Sequence, residues 1–133
     1  MSPAGLDGEL AWRMARILLV DDEAGIRTYL QILLKRAGHD VVAVAGARAT
    51  LIACRSSVFD VLLSDVSMPE VDGHQLVRWL ADVCPHMEPI LMTGDSRQCD
   101  ECPLASQCRV LRKPFQSREV LTAVAEAVGR LHK

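Results

Sequence analysis

Short runs of uninterrupted apolar residues, Ile17–Val20, Val41–Ala45, Val61–Leu63, Ile90–Met92 and Val110–Leu111, most limit what this chain can become. A strand with one wet face alternates polar and apolar residues. These runs do not alternate, which is how strands buried on both faces read. Longer stretches of helical period lie between them. Ile26, Tyr29, Leu30, Leu33, Leu34 and Ala37 fall on one helical face, and Gly38 stands where a helix stop belongs. Gln75–Val83 predicts a helix with Leu76, Leu80 and Val83 inward, and Ala47–Arg55 predicts a weaker one. Near the end, Ser117 is placed to cap a helix whose stripe is Val120, Leu121, Val124, Val128 and Leu131. Strands alternating with helices imply right-handed crossovers and a parallel sheet covered on both sides, an α/β three-layer sandwich. Such sheets bind ligands at the carboxyl ends of their strands.

The 133 residues leave room for one domain. Half are hydrophobic and 24% are charged, a balance that excludes global disorder. No apolar run approaches the roughly 20 residues of a membrane span. The start of the chain lacks the plan of a secretion signal, so the expected location is cytoplasmic, with no membrane partner. A net charge of −2 makes direct nucleic-acid binding unexpected. Residues 1–13 carry Pro3, Gly5 and Gly8 without an apolar period and read as a disordered leader or a tag. The domain is expected over 14–131. Aromatic residues are scarce (Trp12, Tyr29, Phe59, Trp79 and Phe115), so the core must be aliphatic.

The predicted strand ends carry Asp21-Asp22-Glu23, Ser64-Asp65, Thr93-Gly94 and Lys113-Pro114-Phe115. Each has a plain reading. Asp22 can cap the following helix, Asp65 can open a turn before Met68-Pro69, and Asp72-Gly73 is a turn pair. Thr93 can be a loop hydroxyl and Lys113 a solvated end. Four capable groups on one sheet edge are harder to dismiss together. Clustered carboxylates repel each other, and a divalent cation relieves that; oxygen ligands with room for water suit Mg²⁺. An aspartate beside such a metal can accept a phosphoryl group as an acyl phosphate. Lys113 and Thr93 supply further partners for its oxygens.

The phrases ILLVDDE, LLSDVSMPEVDG, ILMTG and LRKPF together resemble the receiver domain of response regulators, the CheY-like family of bacterial two-component signalling. The resemblance covers nearly all of 14–131. It implies a flavodoxin-like (βα)5 fold with strand order 2-1-3-4-5. It implies that Asp65 is the phosphoacceptor, that Asp21, Asp22, Asp65 and the Ser67 carbonyl hold Mg²⁺, and that Thr93 and Lys113 assist. It also implies a cis Lys113–Pro114 bond, and a role for Ser67 and Asp95 in setting the lifetime of the acyl phosphate. A phosphohydrolase reading fits poorly. Such enzymes place an Asp-x-Asp pair after the first strand, where this chain has Asp-Asp-Glu-Ala, and no cap insertion is present.

The chain departs from the family twice. Receivers usually carry Tyr or Phe three residues before the lysine, and here that residue is Val110. The stretch where a fourth helix is usual reads GDSRQCDECPLASQC, which predicts a loop from Gly94 to Cys102 and a short helix from Pro103 to about Gln107. Cys99, Cys102 and Cys108 in that stretch have three readings. They are unrelated thiols, ligands of Zn²⁺ or an iron–sulfur cluster with Cys84 or His86 as a fourth, or a redox site in which Cys99 and Cys102 close a disulfide. His39 and His74 are expected to be exposed rather than ligands, and Trp79 lies off the main stripe of its helix.

The reading is a stand-alone single-domain response regulator. It would not be an enzyme beyond its own phosphorylation and dephosphorylation. A sensor histidine kinase or histidine phosphotransfer protein would donate to Asp65, and the face around 94–131 would meet a downstream protein. A homodimer stays open. The alternative is a sensing module of the same fold, driven by a metal or disulfide at Cys99, Cys102 and Cys108.

Overall fold

The computed structural model describes residues 14–68, 71, 73–94 and 109–131. In chain order the elements are β1 (Arg16–Val20), α1 (Ala24–Arg36), β2 (Asp40–Val44), α2 (Ala47–Ser56), β3 (Val61–Asp65), α3 (Gly73–Val83), β4 (Glu88–Thr93), β5 (Arg109–Arg112) and α4 (Ser117–Leu131). The strands form one parallel sheet in the order β2-β1-β3-β4-β5.

The unbroken apolar runs have the predicted cause. On β1, Ile17 and Leu19 point into one core with Leu30, Leu34, Val120, Val124 and Val128 from α1 and α4. Leu18 and Val20 point the other way, against Cys54 of α2 and Leu76, Val77 and Leu80 of α3. Strands β3 and β4 repeat the division: Val61, Leu63, Ile90 and Met92 join the first core, Leu62 and Leu91 the second. Neither face can be polar, because each lies under helices.

Helix α1 stops as expected. Gly38 takes φ +98°, the left-handed conformation that a Cβ disfavours. The His39 N–H donates to the Leu34 carbonyl and the Gly38 N–H to that of Lys35, the paired bonds of a Schellman cap.

Several local expectations change. Tyr29 is largely exposed, and its hydroxyl meets the Ser117 hydroxyl at 2.5 Å; Ala37 is exposed as well. Ser117 therefore does not serve as the cap of α4. The Gln116 carbonyl accepts from the Glu119 and Val120 N–H groups, and Glu119 Oε1 accepts from the Gln116 N–H, a reciprocal closure of the first turn. Val83 is exposed, because the inward stripe of α3 runs through Leu76, Val77 and Leu80 and ends before the helix does. His39 is half-buried, and its Nδ1 accepts the Ala15 N–H at 3.1 Å. Trp79 is exposed. Residues 1–13, Asp95, the loop and short helix expected from Gly94 onward, Cys99, Cys102, Cys108 and the His74 side chain lie outside the described residues. No helix among the described residues is long and apolar enough to cross a membrane.

Candidate functional site

The carboxyl ends of β1, β3 and β4 lie side by side, because Val20 pairs with Ser64 and Asp65 with Met92. Asp21 follows β1, Asp65 ends β3, Thr93 ends β4 and Lys113 follows β5. The sheet alone thus brings together residues far apart in sequence.

Asp21 is fully buried. Its N–H donates to the Val44 carbonyl, and its own carbonyl accepts from Arg27 Nη1 at 2.7 Å. Its Oδ1 accepts the Glu23 N–H at 2.9 Å. Its Oδ2 is buried without a hydrogen bond. Lys113 Nζ lies 3.5 Å from that oxygen, close enough for charge attraction but not aligned as a hydrogen bond. Asp22 is exposed and does not cap α1; the cap position belongs to Glu23, whose side chain makes no capping bond.

Asp65 is buried, with Lys113 Nζ 3.4 Å from Oδ1 and the Ser67 N–H at 3.4 Å from the same oxygen. Burial pushes its carboxyl above the usual range; Lys113 opposes this, Asp21 reinforces it, and the Ser67 N–H opposes it again. One oxygen each from Asp21, Asp22 and Asp65 lies within 4.8 Å of the others. Among the described residues this is the group of three that could hold a cation. Thr93 is buried at the next strand end, and its carbonyl accepts the Lys113 N–H at 2.7 Å. The Lys113–Pro114 bond is cis.

The structure therefore brings Asp21, Asp22 and Asp65 together with Lys113, at an edge that also carries Ser67 and Thr93. Cys84 lies elsewhere, beside Cys54 in a cavity at the C-terminal ends of α2 and α3. Val110 packs half-buried against the second core, paired with Leu91. Sequence reasoning missed Arg27, which anchors the Asp21 backbone; a lone arginine on a helix carries no signal. It also missed Cys54, whose partner only the packing of α2 against the end of α3 reveals.

A parallel sheet of this order, with an acidic cluster and a lysine at its carboxyl edge, defines a CheY-like receiver of the flavodoxin-like fold. The chain belongs to the response regulator receiver domain family, whose profile matches residues 17–125. It is 38% identical to the response regulator protein FleR of Pseudomonas aeruginosa over 120 residues, 88% of this chain and 25% of FleR. It is 28% identical to the receiver protein CpdR of Brucella abortus over 113 residues, 84% of this chain and 94% of CpdR. The two layouts differ, since the chain spans a quarter of one relative and nearly all of the other. Among solved structures, the signal receiver domain of an HD domain-containing protein from Pseudomonas fluorescens Pf-5 superposes with a TM-score of 0.82 at 28% identity, over 90% of each chain. The chemotaxis regulator CheY4 of Vibrio cholerae gives 0.78 at 27% identity, over 86% of this chain and 98% of CheY4. Receiver domains are signalling domains rather than classical enzymes. They are phosphorylated by sensor histidine kinases, bind Mg²⁺ at an acidic cluster and act on downstream targets.

Proposed function

We propose that this chain is a phosphorylation-operated switch in which Asp65 accepts a phosphoryl group from a histidine kinase or phosphotransfer protein. The observation that carries the reading is the cluster of Asp21, Asp22 and Asp65 against the Lys113 ammonium, with Asp65 itself buried. In the transfer an Asp65 carboxylate oxygen bonds to phosphorus as the donor's P–N bond breaks, and the departing imidazole takes a proton. Lys113, already 3.4 Å from Asp65, would neutralise one phosphoryl oxygen. The Thr93 hydroxyl would donate to another. Hydrolysis returns Asp65 to a carboxylate and releases inorganic phosphate.

The donor set fits Mg²⁺. It is all oxygen, three carboxylates face one ammonium, and Asp21 Oδ2 is a buried oxygen without a hydrogen bond. Asp21, Asp22, Asp65 and the Ser67 carbonyl would hold the ion, which when bound would offset carboxylate repulsion and phosphoryl charge. The protein would act in the cytoplasm and signal by protein contact through the face around 94–131. With Val110 in place of an aromatic, that output does not use an inward-turning ring.

Incubation with acetyl phosphate and Mg²⁺ tests the site. The parent protein should gain one phosphoryl group and Asp65→Asn none. Undiminished labelling of a folded Asp65→Asn variant would sink the assignment.

A further inference from the structure

Away from the acidic edge, the last turn of α2 and the residue after α3 bring two thiols into one cavity. Cys54 and Cys84 both line a space of about 220 Å³, with Val58, Phe59, Val83, His86 and Met87. Both are free thiols. Cys54 is buried in the second core, and Cys84 packs partly exposed against that core. The backbone holds Cys84 in place: its N–H donates to the Leu80 carbonyl, and its carbonyl accepts from the Met87 N–H. Val58 and Val83 at the rim are exposed, so the cavity is reached from solvent. Among the described residues, the trio able to hold a metal is the aspartate cluster, and neither thiol belongs to such a trio. Paired thiols without further ligands favour redox chemistry over zinc, which takes four ligands.

We infer that Cys54 and Cys84 form a dithiol site that low-molecular-weight disulfides oxidise to an intramolecular bridge. The order of events follows from exposure. Cys84 loses its proton to solvent and attacks one sulfur of the small disulfide R–S–S–R, expelling one thiolate, which takes up a proton. Cys54 then attacks the Cys84 sulfur of the mixed disulfide; its proton goes to the second departing thiolate. Two protein thiols are oxidised, and one small disulfide is reduced to two thiols. Burial and the neighbouring Cys84 push the Cys54 thiol up to about 12, so Cys54 is the resolving rather than the attacking group. The bridge closes a loop containing all of β3 and α3. This site stands independently of the phosphoryl reading.

The full chain is treated with oxidised glutathione, alkylated and digested with trypsin. Cleavage at Arg48, Arg55, Arg78 and Arg97 puts Cys54 in residues 49–55 and Cys84 in 79–97, apart from Cys99, Cys102 and Cys108. The expected product is residues 49–55 linked to 79–97, with a mass two hydrogens below the sum of the peptides. Cys54→Ser should leave Cys84 carrying one glutathione, and Cys84→Ser should leave Cys54 unmodified. Linkage of 79–97 to the other cysteine peptide instead, or Cys84 ending as the glutathione adduct in the parent, overturns the proposal.

Discussion

Replacing Asp21 by Asn tests whether the acidic edge is a charge-strained cation site. Asp21 Oδ2 lies 3.5 Å from Lys113 Nζ; at an effective dielectric constant of about 20 that attraction is about 5 kcal/mol. Asp65 lies within 4.8 Å, and on the same scale its repulsion is about 3.5 kcal/mol. Asp22 adds repulsion that solvent screens, because its side chain is exposed. These leave an attraction of about 1.5 kcal/mol, which the screened Asp22 repulsion brings down to about 1 kcal/mol or less. Against it stands a buried oxygen without a hydrogen bond, which costs about 1–3 kcal/mol. Asparagine keeps the acceptor for the Glu23 N–H and removes the charge, while Lys113 keeps Asp65 as its partner. In chelator the variant should be more stable by about 1–2 kcal/mol, melting about 5 °C higher. Mg²⁺ at ten times its dissociation constant should stabilise the parent by about 1.4 kcal/mol. In the variant that gain should be lost. Calorimetry with and without Mg²⁺ reads both effects. A variant melting 5 °C below the parent in chelator would mean that the Lys113 pair outweighs repulsion and burial together, and that the edge is not charge-strained.

Other perturbations have defined outcomes. Gly38→Ala places a Cβ at φ +98°. Nothing crowds the added atom, so the cost is conformational, about 1 kcal/mol, and should appear as a lower urea midpoint with an unchanged slope. His39 gives a pH signature, because its Nδ1 accepts the Ala15 N–H and burial lowers its pKa. The unfolded chain then takes up the proton first. The stability His39 contributes is complete above its ordinary pKa of about 6.5 and is lost as pH falls through that value toward the lowered one. His39→Gln should flatten the dependence of Tm on pH in that window; an unchanged slope would remove His39 as its source.

Strand order was legible to the extent that a family resemblance supplied it, and strand identity because doubly buried strands leave unbroken apolar runs. Ile17–Val20 and Val61–Leu63 announce themselves, yet β4 and β5 extend past their apolar cores to Glu88, Thr93, Arg109 and Arg112. Those ends are fixed by pairing with a neighbour, which no local pattern records. The acidic edge was legible because each group sits at a strand end, and the sheet does the gathering. Tyr29 and Ser117 were misjudged because each looked complete within its own helix, while their hydroxyls meet across 88 positions. Val83 kept the helical period but outran its sheet. Cys54 carries no signal for a similar reason: sequence clustering points to Cys99, Cys102 and Cys108, with Cys84 only as a fourth ligand, whereas packing sets Cys84 beside Cys54.

The chemistry at Asp65 can be located directly. After incubation with acetyl phosphate and Mg²⁺, borohydride reduces an aspartyl phosphate to homoserine, and peptide sequencing places the converted residue. Homoserine is expected at position 65 alone, and none without Mg²⁺. Conversion at Asp21 or Asp22, or a label that resists the hydride, would contradict it.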